Sequence, residues 1–137
     1  MKRIFLTICF LLFNLPVFSE SVKIDNQFIN SLAAESVVTR DQKIMDMIDK
    51  QINAKGYVFA AKDSKLLTRY VITIMLNTGS IEMKINLYTD RDDYLKLLQK
   101  GDQFEFKGKL ISFSPVNTEK SSYILNVLLE EGSVIVE

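Results

Sequence analysis

Apolar residues repeat along this chain in three rhythms, and each predicts a different kind of element. Ile4 to Phe13 is an unbroken apolar run of about ten residues behind a basic Met1-Lys2-Arg3 start. Between Glu20 and about Asn53 the spacing is helical. Phe28, Ile29, Leu32 and Ala33 fall on one face of a first helix, and Ile44, Met47, Ile48 and Ile52 on one face of a second. Asp25 is placed to cap the first helix and Thr39 or Asp41 the second, with the β-branched run Val37-Val38-Thr39 as the break between them. Gly56 then suits a left-handed close to the second helix.

From Tyr57 the period falls to two. Tyr57 to Ala61 reads as a short strand, and polar Lys62 to Lys65 as the connection to a second. That strand carries Tyr70, Ile72, Ile74 and Leu76 on one face and Val71, Thr73 and Met75 on the other. A turn at Asn77 to Ser80 leads to the cleanest alternation in the chain: Ile81, Met83, Ile85 and Leu87 inward, Glu82, Lys84, Asn86 and Tyr88 outward. Tyr94, Leu95, Leu97 and Leu98 return to helical spacing, and Lys100-Gly101 ends that helix. The fourth strand puts Phe104, Phe106, Gly108 and Leu110 on one face and Gln103, Glu105, Lys107 and Lys109 on the other. After Ser114-Pro115 and a polar loop, Tyr123 to Leu129 is the fifth strand, which Gly132 separates from a Val134-Ile135-Val136 tail.

Three strands, a helix and two strands is the order of an OB-fold, a five-stranded Greek-key barrel. Two stretches carry the likeness: the hairpin ITIMLNTGSIEMKINLY, and LLQKGDQFEFKGKLISF with its glycine inside a strand. They resemble the exported bacterial OB-fold proteins and the OB domains related to tRNA anticodon-binding modules. The expected fold is therefore mainly β, with a helical N-terminal extension over 20–55 and the OB-fold domain over 56–137. Gly108 is expected where a closing barrel bends sharply, the alternative being a bulge in an open sheet.

Composition bears on compartment. The basic start, the short apolar run, Pro16 and the compact exit Val17-Phe18-Ser19 form the layout of a signal peptide over 1–19, cut near Ser19/Glu20. The run is too short to span a bilayer. Its removal takes the only cysteine, Cys9, and leaves 15 basic side chains against 17 acidic ones, a net charge of −2. The expectation is an exported protein, periplasmic or secreted, held together by packing without disulfides.

The chain has no histidine, which excludes the Ser-His-Asp triad, and the cleaved chain has no thiol nucleophile or common zinc ligand set. It carries no phosphate-cradling glycine motif. Asp90, Asp92 and Asp93 form an acidic cluster, read chiefly as Thr89 or Asp90 capping a helix and only secondarily as a calcium site. No cofactor, metal or enzymatic activity is implied. Two surfaces remain. Ile44, Met45, Met47 and Ile48 make a methionine-rich helical face suited to a protein partner, or to covering the barrel end. Lys84, Tyr88, Lys107 and Lys109 make a ligand face, with Lys62, Lys65 and Arg69 as further basic residues. Phe59, Tyr70, Phe104 and Phe106 are expected in the core, which leaves a single outward aromatic. One aromatic and a negative charge put an envelope protein or a small ligand ahead of nucleic acid, so the expected function is non-enzymatic exported binding. The alternative is a module for single-stranded nucleic acid or oligosaccharide.

Overall fold

The computed structural model describes residues 21–78 and 81–136; the expected signal peptide and the tip of the Asn77 to Ser80 turn lie outside them. The elements are β1 (Ser21–Ile24), α1 (Asn26–Ala34), α2 (Val37–Met45), β2 (Gln51–Asp63), β3 (Tyr70–Thr78), β4 (Ile81–Thr89), α3 (Asp93–Leu97), β5 (Gln103–Pro115) and β6 (Ser122–Ile135). Strands β2, β3, β4, β6 and β5 pair in that circular order, and β5 returns to β2. All these pairs are antiparallel except β4–β6, which is parallel. This is the closed OB-fold barrel. It is filled by the inward residues of every strand, among them Ile72, Ile74, Met83, Ile85, Phe104, Leu125 and Val127.

The barrel starts earlier than the alternation suggested. β2 begins at Gln51, and Ile52, Ala54, Gly56 and Val58 all point inward. Ala54 and Gly56 are too small to register as a hydrophobic rhythm, so Ile52 was legible only as a helical residue. Gly56 sits inside the strand, where a Cβ would strike Ile74 and the Met75 carbonyl. The left-handed residue that follows α2 is Asp49 instead, at φ 71°, with its N–H bonded to the Leu110 carbonyl at 2.8 Å. The first half of β2 pairs β5 on one side, and β3 joins the other side only from Tyr57. β1 fills the edge that β3 leaves, lying parallel to β2 from Gln51 to Ala54.

The break between the N-terminal helices falls at Glu35 and Ser36, and Val37 to Thr39 form the first turn of α2. Ser36 occupies the cap position of α2, not Thr39 or Asp41, whereas Asp25 caps α1 by accepting from Phe28 N at 2.9 Å. Ile29, Leu32, Ile44 and Met47 join the barrel core. At the other end Tyr94 and Leu98 close it, with the Tyr94 ring edge-on to Phe104 at 5.8 Å.

Gly108 sits at a bulge where β5 and β6 slip register, between the pairs Lys107↔Glu131 and Gly108↔Leu129. A Cβ there would collide with the Leu128 carbonyl oxygen and lie 2.7 Å from Val127 Cγ1. The expected bend and the alternative bulge are thus one feature, in a closed barrel. Gly132 does not end the fifth strand: β6 runs through it to Ile135, and the missing side chain admits the Phe104 ring.

Candidate functional site

Register places three rows of side chains across the outside of the barrel. The first runs Lys62, Val71, Tyr88, Leu128; the second Thr73, Asn86, Asn126, Ser112; the third Tyr57, Met75, Lys84, Ile124. Hydrogen bonds join the middle row from strand to strand. Thr73 Oγ1 donates to Asn86 Oδ1 (3.0 Å), Asn86 Nδ2 to Asn126 Oδ1 (3.2 Å), and Asn126 Nδ2 to Ser112 Oγ (3.0 Å). Asparagine is disfavoured in strands because its side chain competes for backbone groups. Here cross-strand partners occupy both amides and hold them in place. Tyr88 is outward by register yet only 6% exposed, its ring lying along the sheet with the hydroxyl 3.5 Å from Asn126 Oδ1.

Phe59, expected in the core, is an outward aromatic, as is Tyr57. Phe59 follows inward Val58, so the alternation of β2 from Ile52 sends it outward to 50% exposure, and the bulge between Val58 and Ala60, opposite Ile74 and Thr73, restores the inward face only at Ala61. The turn after α3 is bonded to the same point: Val58 N donates to the Asp102 carbonyl and Gly101 N to the Val58 carbonyl, each at 2.8 Å. Gly101 has φ 95°, a conformation that glycine adopts without Cβ strain. The turn brings Lys100 Nζ to 5.1 Å from the centre of the Phe59 ring, while Lys84 Nζ reaches it from β4 at 5.9 Å. Two ammonium groups therefore flank one exposed ring.

The charges sort cleanly. Lys62, Lys65 and Lys84 line a cleft of about 310 Å³ with Tyr88, Val71 and Leu66, and Asp63 is its one acidic residue. Among the described residues these lysines and Lys100 make no ion pair. Lys107 and Lys109 do, with Glu131 at 4.0 Å and Asp49 at 3.6 Å. The expected four-residue ligand face thus divides: Lys84 and Tyr88 belong to the cleft, and Lys107 and Lys109 are turned to carboxylates away from it. Beside the cleft, Phe59 and Lys100 gather at Lys84, and Asn126 and Ser112 continue the hydrogen-bonded row of Asn86.

The expected helical partner face does not form a surface. Ile44 and Met47 are buried in the core and Ile48 packs against it, leaving Met45 alone at 51% exposure. The helices are fixed to the loop between β5 and β6 by a polar clamp. Asp41 accepts from Lys120 Nζ at 2.7 Å and from Tyr123 OH at 3.1 Å, and Arg40 donates to the Glu119 and Lys120 carbonyls. Burial, reinforced by the bond to Asp41, pushes the Tyr123 hydroxyl up to about 12.

The acidic cluster disperses too. Asp90 Oδ1 accepts from Arg69 N at 3.0 Å, Thr89 Oγ1 from Arg91 N at 3.1 Å, and Asp92 pairs Lys96 at 3.6 Å. Neither Thr89 nor Asp90 caps α3; Asp92 takes that position without a side-chain cap bond. Asp93 meets Arg91 at 2.6 Å, and that bond holds its carboxyl below the usual range. Among the described residues no group of three histidine, cysteine or acidic side chains could hold a metal, and no helix is long and apolar enough to cross a membrane.

No protein-family model and no curated protein matches the chain. Solved structures align with it at low identity. The asparaginyl-tRNA synthetase of Entamoeba histolytica aligns with 88% of this chain at 18% identity and a TM-score of 0.48. This chain spans only 25% of that enzyme. A candidate nucleic acid-binding lipoprotein from Klebsiella pneumoniae aligns over 86% of this chain and 92% of its own, at 10% identity and a TM-score of 0.48. An OBody bound to hen egg-white lysozyme covers 66% of this chain and 85% of its own, at 13% identity and a TM-score of 0.44.

Proposed function

We propose that the outer face of β2, β3, β4 and β6 binds an anionic chain that carries flat rings, with a single-stranded oligonucleotide as the ligand class. The observation behind this reading is Phe59, exposed between two lysines that have no carboxylate partner among the described residues. Aromatic rings stack on bases whatever their sequence, and lysines beside the ring neutralise the flanking phosphates. The hydrogen-bonded middle row supplies a flat floor under such a strand, and Lys62 and Lys65 extend the positive path. This reverses the order expected from composition. Net charge averages over the whole surface, whereas Glu35, Asp41, Asp49, Asp92, Asp93 and Glu131 pair with basic residues elsewhere, and the cleft sets three lysines against Asp63 alone.

The protein acts in this reading as a binding module with no chemistry of its own, exported by the segment before residue 20. A labelled oligothymidylate tests the binding. The intact protein raises its fluorescence anisotropy, and Phe59→Ala weakens binding about tenfold, in line with the loss of one stacked base. Unaltered binding by Phe59→Ala removes the observation on which the proposal stands.

A further inference from the structure

β3 joins β2 only at Tyr57, and β1 leaves β2 after Ala54. The strands splay around Lys55 and Gly56, opening a groove of about 540 Å³ between the start of α1 and the barrel. Tyr57 and Met75 line this groove and also form part of the third row of the outer face, so the two surfaces are continuous.

Its chemistry differs from that of the cleft. Lys23 and Lys55 are balanced there by Asp25 and Glu105, so the groove offers no net attraction to phosphate. The amides of Gln27 and Gln103 line it without a hydrogen-bond partner among the described residues, and each supplies both donors and an acceptor. The Tyr57 ring is 58% exposed at the entrance, above an apolar floor that includes Ile29 and Leu76. An exposed ring, free amides and cancelled charge suit a flat, uncharged heterocycle with hydrogen-bonding edges.

We infer that the groove is a terminal subsite that takes one nucleobase of the strand held on the outer face, stacked on Tyr57 and read by Gln27 and Gln103. This rests on the reading proposed above. It gives the N-terminal segment, which lies outside the barrel, a part in recognition.

The test uses the full chain and two probes: an octathymidylate, and inorganic polyphosphate, which has the charge but no base. The double variant Gln27→Ala/Gln103→Ala, both positions solvent-facing, is expected to weaken octathymidylate about fivefold to tenfold, the scale of one or two neutral hydrogen bonds. Polyphosphate binding stays unchanged. An octamer with 5-iodouracil at one end crosslinks to Tyr57. Equal loss for the two probes, or no loss for octathymidylate, overturns the subsite while leaving the outer-face reading in place. If the unaltered protein binds neither probe, the outer-face reading itself fails and the subsite with it.

Discussion

Replacing Gly108 by alanine tests the closure of the barrel at the β5–β6 bulge. The added Cβ meets the Leu128 carbonyl oxygen closer than contact allows, and Val127 Cγ1 at 2.7 Å. A side-chain obstacle can rotate away, but a carbonyl in the β5–β6 ladder moves only with its strand. Overpacking costs about 1–3 kcal/mol, and an immobile backbone obstacle puts this case near 3 kcal/mol. Urea denaturation followed by far-UV circular dichroism measures it. With a slope of about 2 kcal/mol per molar, the midpoint falls by roughly 1.5 M while the slope stays constant. Lys107→Ala, one residue away and half-exposed, serves as the control and shifts stability by less than about 0.5 kcal/mol. A Gly108→Ala protein within that same margin refutes the close approach, and with it the assignment of the bend.

Other substitutions probe the remaining parts of the fold. Met47→Ala costs about 2–5 kcal/mol by thermal or chemical unfolding, while Met45→Lys, two residues earlier at the end of α2, is tolerated, since only Met47 is buried. Asp41→Ala leaves Lys120 and Tyr123 without their acceptor and costs about 1–3 kcal/mol, read as a lowered unfolding midpoint. Tyr123 is held protonated in the fold to about 12, above its unfolded value. Its contribution is therefore full below pH 10 and is lost as pH rises from 10 to 12. Across that window the stability gap between the unaltered protein and Tyr123→Phe narrows; a gap that widens or stays constant contradicts the placement of the hydroxyl against Asp41.

The sequence made most of the barrel legible because one face of β4 is dry and the other wet, so Ile81 to Tyr88 alternates without a break. The same alternation correctly sent Lys84 and Asn86 outward. It failed where side-chain size rather than polarity carried the pattern, as at Ala54 and Gly56, and so it assigned the start of β2 to a helix. It failed again at Phe59, because the inward phase of β2 is set by Ile52, Ala54, Gly56 and Val58, and the bulge after Val58 breaks that phase without a mark in composition. Two further features of the outer face depend on contacts distant in sequence. Asn86 meets Asn126 only through the parallel β4–β6 pair, and Lys100 reaches Phe59 only through the turn bonded to Val58. A polar residue at the centre of the fifth strand, Asn126 between Leu125 and Val127, was the one local sign that the outer face holds a network.

The salt dependence of oligothymidylate binding tests the central claim most directly. Lys62, Lys65, Lys84 and Lys100, which make no ion pair among the described residues, give log K a slope near −3 against log salt, about −0.7 for each phosphate neutralised on a single strand. The double variant Lys84→Ala/Lys100→Ala is expected to reduce that slope by about 1.4, whereas Lys107→Ala/Lys109→Ala leaves it unchanged. A slope near zero, or one that responds to Lys107 and Lys109 instead of Lys84 and Lys100, contradicts the account.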